Sequence, residues 1–207
     1  VKMPSDSIRK IICGDRGTLL KLEIFRNGKI ETFEINRDII PVNSIEASYM
    51  IDKKSGYIKI DKFSTQTYRE FMTALMELKK QGLEKLILDL RGNGGGVLDE
   101  AIEIADEFLD GDKLITYTEG KHSPKKEYRC RRLGQFENGS LVVLCDEESA
   151  SASEVLMGSL QDWDRATIIG RRSFGKGLVQ EQYDLSDNSA LRITIARYFT
   201  PLGRSIQ

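Results

Sequence analysis

Two residues that can do covalent chemistry together stand in short, distinctive segments of this sequence. Ser151 lies in a run of small residues at 149–154, and Lys176 lies between Gly175 and Gly177. A serine hydroxyl that meets an uncharged lysine amine can act as a nucleophile, because the amine accepts its proton. The chain contains one histidine, His122. The sequence therefore favours an enzyme with a Ser-Lys pair over a binding module.

The environment of Ser151 suits a nucleophile. An apolar strand at 141–145 leads through a short loop to a helix that we expect to begin at Ala152. The Ser151 hydroxyl and the Ala152 amide would then lie at the positive end of the helix dipole, where an alkoxide or oxyanion is stabilised. The simpler alternative stays open: Ser151 and Glu154 also match a capping box, which needs no catalytic role.

Lys176 must be neutral to act as a general base. Its flanking glycines allow close backbone approach, and Phe174, Leu178 and Val179 are apolar neighbours. We therefore expect its amine to be withdrawn from water, since burial disfavours the charged form. A solvated loop lysine is the alternative, because lysine is seldom buried.

A glycine-rich segment, residues 89–96, follows a second apolar strand. Its backbone amides are unobstructed by side chains, so the amide of Gly95 or Gly96 can complement that of Ala152 in an oxyanion hole. Gln180 lies four residues after Lys176. In a straight strand this separation is about 13 Å, so contact between them requires a bend at Gly177.

Composition limits the class of protein. The 207 residues include 31 basic and 32 acidic side chains, for a net charge of -1, so we expect no nucleic-acid partner. No apolar run approaches the roughly 20 residues of a membrane-spanning helix, and no signal peptide is recognisable. Cys13, Cys130 and Cys145 show neither a disulfide framework nor zinc-ligand spacing. We expect free thiols, no metal and no cofactor.

Apolar runs and helical patterns alternate from Gly56 onward. Strands are predicted near 57–60, 86–90, 114–118, 141–145 and 167–169, with helices at 98–109 and 152–161. A further helix opens at a capping box, Thr67 and Glu70, with Phe71, Leu75 and Leu78 on its core face. A hairpin at 179–183 and 191–198 ends the pattern. This alternation indicates an α/β fold with a mainly parallel sheet covered by helices.

Two domains are predicted. Residues 1–38 form a small β-rich unit with a hairpin turn at Asn27 and Gly28, and residues 39–207 form a larger core. Residues 38–55, with Pro41, are interpreted as a connector. The chain opens and closes in mid-pattern, and we expect it to be a piece of a longer protein.

Taken together, the segments 56–60, 89–96, 149–154, 170–180 and 197–201 resemble the carboxyl-terminal processing proteases, also called tail-specific proteases. These are serine proteases with a Ser-Lys dyad. The resemblance implies that Ser151 is the nucleophile, Lys176 the general base and Gln180 the residue that orients the lysine. Ala152 and either Gly95 or Gly96 would form the oxyanion hole, and the core would have a crotonase-like α/β fold.

The resemblance also implies properties beyond the site. The β-rich residues 1–38 are similar to the second half of a PDZ domain, a module that binds substrate C-termini in this family. Substrates would be proteins with exposed C-termini, and the compartment would be periplasmic or otherwise exported. One departure is Gly94, where many members have proline. Nothing in the sequence indicates an oligomeric state.

Three alternatives remain. Gly170, Gly175 and Lys176 nearly match a phosphate-binding loop, but Gly177 lacks the hydroxyl that binds magnesium. A second alternative is an inactive PDZ and scaffold module that binds protein tails without cutting them. The third is a Ser-His-Asp triad, which would have to use His122, although this histidine lies in a polar loop typical of a solvated surface group.

Overall fold

The computed structural model describes residues 3–39 and 43–207. Two compact units are present, Val1–Val42 and Asn43–Gln207. The predicted boundary, between residues 38 and 39, lies close to this division. That the first unit is half of a PDZ domain stays a prediction.

The first unit consists of one helix and one hairpin, α1 (Ser5–Ile12), β1 (Leu19–Arg26) and β2 (Lys29–Asn36). The strands are antiparallel, and Asn27 and Gly28 turn the chain with φ of 51° and 77°. The predicted hairpin is therefore confirmed, because Asn-Gly accepts the two positive φ values of this turn. Helix α1 was not predicted, since the whole segment was interpreted as β-rich. The Arg37 guanidinium caps it by donating to the carbonyls of Ile11 and Ile12.

The second unit contains two sheets and three helices. Its elements are β3 (Ile45–Met50), β4 (Ser55–Ile60), α2 (Thr67–Lys80), β5 (Lys85–Asp89), α3 (Leu98–Asp106), β6 (Leu114–Glu119), β7 (Lys126–Arg129), β8 (Ser140–Cys145), α4 (Ala152–Asp162), β9 (Thr167–Gly170), β10 (Leu178–Asp184) and β11 (Ala190–Phe199). All strands and helices predicted after Gly56 are found, with small differences at their ends.

The first of these sheets is five-stranded, with order β3-β4-β5-β8-β9. Strands β4, β5, β8 and β9 are parallel, and β3 pairs with β4 in antiparallel fashion. The prediction of a mainly parallel sheet is confirmed. The connector prediction is wrong for Ile45–Met50, because this mixed-polarity segment forms an edge strand in which Ile45, Ala47 and Met50 are half-buried.

Helices α2, α3 and α4 pack on one face of this sheet. The core joins Ile58, Leu88 and Val143 of the strands to the helices, through residues such as Phe71, Ile104 and Leu156. Burying this continuous apolar face is the main force that holds the helices in place. In α2 the buried residues include the predicted Phe71, Leu75 and Leu78. On the other face of the sheet, side chains such as Ile87 and Val142 are only half-buried.

The other sheet is antiparallel, with order β10-β11-β6-β7. The segment 114–118 is a strand as predicted, but it pairs with β11 through Tyr198 and Thr118 instead of joining the parallel sheet. Its periodicity alone could not assign it to a sheet. Strand β7 was not predicted, because its four residues alternate too briefly to form a pattern.

Two local predictions need correction. Glu70 does not cap α2: its carboxylate accepts the amides of Ser44 and Ile45 at 2.7 and 3.2 Å, which ties the helix to the start of β3. Arg132 belongs to a basic cluster, with Arg129 and Arg131, for which the sequence by itself predicts a solvated face. Its guanidinium instead pairs with Glu103 and the buried Glu107, 2.5 and 3.1 Å away, because α3 presents acidic groups to it.

Candidate active site

Three loops meet where the parallel strands β5, β8 and β9 end. The Ala150 amide donates to the Asn93 carbonyl at 3.0 Å, which joins the glycine-rich loop to the loop after β8. The Phe174 amide donates to the Ser149 carbonyl at 3.0 Å, which adds the loop after β9. Parallel strands bring their carboxyl ends to one edge, so segments far apart in sequence become neighbours there.

Ser151 stands in a strained backbone conformation immediately before α4. Its φ of 56° and ψ of -113° lie outside the regions that non-glycine residues favour. Such a conformation costs about 1–3 kcal/mol and persists only where surrounding contacts enforce it. Ser151 is half-buried, and the Ala152 amide that follows it is the first of the helix. The predicted helix start is therefore correct.

Gly95 packs directly against this turn. Its φ is 94°, and a β-carbon at this position would lie 2.6 Å from the Ala150 carbonyl oxygen and 2.8 Å from the Ser151 β-carbon. Gly96 is equally constrained, since a β-carbon there would lie 2.0 Å from the Phe63 carbonyl oxygen. Both positions therefore require glycine, and Gly95 is in contact with the serine.

The amides in this region differ in their hydrogen bonding. The Gly95 amide donates to the side-chain oxygen of Asn93 at 2.8 Å. Within residues 3–39 and 43–207, the amides of Gly96 and Ala152 have no acceptor. An amide without an internal acceptor can donate to a developing oxyanion at no cost to another bond.

Lys176 is placed by its backbone, and its side chain is exposed. Among the described residues, its amine makes no hydrogen bond with Ser151. The expectation of an amine withdrawn from water is therefore wrong for this conformation. The reason is that Phe174, the predicted apolar neighbour, is itself 67% exposed and does not cover the lysine.

Gln180 is also exposed, and it lies in β10 opposite Thr194. The register shifts between Val179 and Gln180, so the strand is irregular at this point. Within the described part of the chain, the Gln180 side chain forms no hydrogen bond with Lys176. The structure therefore does not join these two predicted site residues.

Sequence reasoning missed four buried polar residues that hold the loops together. The side-chain amide of Asn93 donates to the Ile60 carbonyl at 2.9 Å. The main-chain carbonyl of Asn93 accepts the Ser153 hydroxyl at 3.0 Å. The Ser149 hydroxyl donates to the Leu90 carbonyl at 2.8 Å. Glu154 accepts the amides of Ser151 and Lys176. The one available signal was the density of small polar residues at 149–154, which is unusual beside a buried strand.

A buried carboxylate lies at the same edge of the sheet. Asp89 accepts hydrogen bonds from two side chains, the Arg91 guanidinium, with a shortest distance of 2.6 Å, and the Tyr57 hydroxyl at 2.6 Å. Burial alone would raise the pKa of Asp89, but these hydrogen bonds outweigh it and lower the pKa. Burial and the bond to Asp89 raise the pKa of Tyr57 to about 12. Asp89 thus links β4 and β5 next to the glycine-rich loop.

Further features outside these loops do not contribute to the candidate site. A cavity of about 690 Å³ lies along β11 beside His122, and neither Ser151 nor Lys176 lines it. His122 is exposed, as the sequence indicated. Residues 3–39 and 43–207 contain no cluster of three His, Cys, Asp or Glu side chains placed to hold a metal. No helix in these ranges has the length and apolar character needed to cross a bilayer.

The alternative of a phosphate-binding loop lacks its main structural requirement. Such a loop ends at a helix whose N-terminus binds the phosphates. Lys176 is followed instead by the strand β10. The loop therefore offers neither a helix dipole nor a hydroxyl at Gly177.

Comparisons with known proteins show the family of this chain. Residues 54–207 match the model of peptidase family S41. A probable CtpA-like serine protease of Staphylococcus epidermidis is 36% identical over 207 residues, which are all of this chain and 42% of that protein. A carboxy-terminal-processing protease of Bartonella bacilliformis is 37% identical over 200 residues, which are 94% of this chain and 46% of that protein.

Solved structures show the same fold. The photosystem II D1 C-terminal processing protease superposes with a TM-score of 0.72 at 29% identity, covering 97% of this chain and 56% of that one. A putative S41 protease from Bacteroides fragilis superposes at 0.69 with 16% identity, covering 89% and 55% of the two chains. The chain spans less than half of these curated relatives. Because the family model covers most of the sequence, the chain belongs to peptidase family S41.

Proposed function

We propose that the protein is a serine endopeptidase that cleaves protein substrates near their C-termini through a Ser-Lys dyad. The observation that carries the proposal is the strained Ser151 turn, which places a hydroxyl at the start of α4 and against Gly95. Strain of this kind costs free energy and is found mainly at functional sites, where surrounding contacts enforce it. The relatives named as carboxyl-terminal processing proteases support the substrate class.

In this reaction Lys176, with its side chain turned toward Ser151, takes the hydroxyl proton as the serine attacks a peptide carbonyl. The resulting oxyanion is held by backbone amides. Ala152 and Gly96 are the better donors, since the Gly95 amide already bonds to Asn93. The lysine then gives its proton to the leaving amine, and water releases the acyl group from Ser151. Gln180 would orient the Lys176 amine after the Gln180 side chain rotates toward it.

The side chain of Lys176 must leave water for this step. It is exposed in the structure. A peptide lying over Ser151 would cover the amine and separate it from water. Substrate binding thereby helps to complete the site.

The test is hydrolysis of a peptide with a free C-terminal carboxylate. We expect Ser151→Ala and Lys176→Ala each to lower kcat by at least about 1,000-fold. Mass spectrometry should find an acylating active-site probe attached to Ser151 in the unaltered protein and absent from Ser151→Ala. Full hydrolysis by Ser151→Ala would reject the mechanism, and binding of the peptide without any hydrolysis would favour the inactive scaffold module.

A further inference from the structure

One buried carboxylate joins the two loops that carry the proposed dyad. Glu154 lies in the first turn of α4 and is 4% exposed. Its Oε2 accepts the Ser151 amide at 2.9 Å and the Lys176 amide at 2.7 Å. Its Oε1 accepts the Gly175 amide at 2.6 Å and the Ser173 hydroxyl at 2.7 Å. An ionised carboxylate can accept all four bonds, and no neutral side chain offers as many acceptor sites.

This pattern exceeds what helix capping requires. In a capping box the Glu154 carboxylate accepts one bond, from the Ser151 amide, and the Ser151 side chain accepts the Glu154 amide in return. The other three donors come from residues 173–176, which lie beyond β9. Glu154 therefore holds a loop that is distant in sequence, and it does so on the side where Ser151 stands.

The shared oxygen restricts the geometry of the dyad. Because the amide nitrogens of Ser151 and Lys176 both lie within hydrogen-bonding distance of one Oε2 atom, the two backbones are held close together. The Lys176 side chain is exposed and is not held by a hydrogen bond to Ser151, so it can rotate while the backbone stays in place. Rotation about its side-chain torsions is fast compared with loop rearrangement.

We propose that Glu154 is a positioning residue that holds the backbones of Ser151 and Lys176 in their working register, so that the dyad closes by rotation of the Lys176 side chain without movement of its loop. The proposal rests on the proposed function of these two residues. Glutamine at this position would keep the shape of the side chain but offer one acceptor oxygen, so two of the four donors would face an amide NH₂.

The first experiment measures hydrolysis of the free-carboxylate peptide by the whole chain. We expect Glu154→Gln to lower kcat by about 100-fold with KM changed less than about threefold, since a small misplacement of reacting groups affects the chemical step most. Ser173→Ala, which removes one donor of four, should lower kcat about fivefold. Glu148→Gln makes the same chemical change at an exposed neighbouring carboxylate and should match the unaltered protein.

These outcomes separate the two proposals. If Ser151→Ala abolishes hydrolysis while Glu154→Gln retains the unaltered kcat, the dyad stands and the positioning role is overturned. If Ser151→Ala hydrolyses normally, the proposed function itself fails. A rise in KM at constant kcat for Glu154→Gln would also overturn the positioning role, because it would place Glu154 in substrate binding.

The second experiment does not depend on catalysis. Amide hydrogen exchange in the Ser151→Ala protein should show protection at Gly175 and Lys176, and adding Glu154→Gln should speed exchange at both by at least about tenfold. Addition of the peptide to Ser151→Ala should leave both rates unchanged if only the lysine side chain rotates. A large change in the exchange rates of Gly175 and Lys176 on peptide binding would show that the loop moves and would overturn the proposal. This measurement uses Ser151→Ala alone, so it remains decisive if Glu154→Gln does not fold.

Discussion

At the scale of single residues, the site depends on backbone positions more than on side-chain contacts. Ser151, Gly95 and Lys176 are each fixed through their main chains, by strain, close packing and hydrogen bonds to Glu154 respectively. The sequence named these three residues because their motifs are distinctive. It did not name Glu154 as the group that holds two of them, because a capping pattern explained that residue locally.

The glycine-rich loop allows a matched comparison of two glycines. Gly95→Ala should lower kcat/KM at least about 100-fold, because its β-carbon would lie 2.6 Å from the Ala150 carbonyl oxygen and displace the turn. Gly94→Ala should change kcat/KM less than about twofold, since no atom lies within 4 Å of the added carbon. Steady-state hydrolysis of one peptide by both variants checks this. If kcat/KM fell equally in both variants, the loss could not be attributed to the contact between Gly95 and Ser151. It would instead show that the loop tolerates no added side chain at either position.

At the scale of secondary structure elements, adjacent strands are tied at the site by Asp89. It accepts hydrogen bonds from Tyr57 of β4 and from Arg91 just after β5. Since the pKa of Asp89 is lowered in the folded protein, its stabilising contribution is complete above the unfolded value of about 3.9. The contribution is lost as the pH falls through the lower folded pKa.

Replacing this carboxylate should change both stability and its dependence on pH. Asp89→Asn should lower the free energy of unfolding at pH 7 by about 2 kcal/mol, because charge-assisted bonds to Arg91 and Tyr57 are weakened. The loss of stability between about pH 5 and pH 2 should then be smaller than in the unaltered protein. Urea unfolding at several pH values measures both effects.

Glu147→Gln is the control for Asp89→Asn. The exposed Glu147 pairs with Arg171 at 2.5 Å, and this bond lowers its pKa. An exposed ion pair contributes little to stability, so this variant should unfold like the unaltered protein at pH 7. Equal destabilisation by both substitutions would contradict the special role of the buried carboxylate.

At the scale of the whole molecule, burial separates the three free cysteines. Cys13 is exposed, whereas Cys130 and Cys145 are buried in the larger unit. Burial raises the pKa of both buried thiols, and that of Cys130 reaches about 12. The thiolate is the reactive form, so burial protects these residues from alkylation by limiting both access and ionisation.

Alkylation therefore reports on the integrity of the core. At pH 8 we expect iodoacetamide to modify Cys13 of the native protein, with Cys130 and Cys145 reacting at least about tenfold more slowly. In denaturant all three should react at similar rates. Peptide mapping identifies the sites. Rapid native modification of Cys145, which ends β8 before the Ser151 loop, would show that this strand opens readily.

The sequence by itself determined the elements and the candidate residues of this protein. Alternating apolar runs predicted the parallel strands and their helices, and Asn27-Gly28 predicted the first hairpin, because these signals arise between near neighbours in the chain. The motifs around Ser151, Lys176 and Gly95 were recognisable for the same reason. Strand β3 and helix α1 were missed, since their burial patterns are weak locally.

Only the tertiary structure decided which of these groups meet. It placed the segment 114–118 in the antiparallel sheet, left Lys176 exposed, and joined the loops after β8 and β9 through Glu154. Such contacts depend on how segments far apart in the chain pack against a shared core. Local patterns carry no information about that packing, because the free energy that selects it is spread over the whole buried surface.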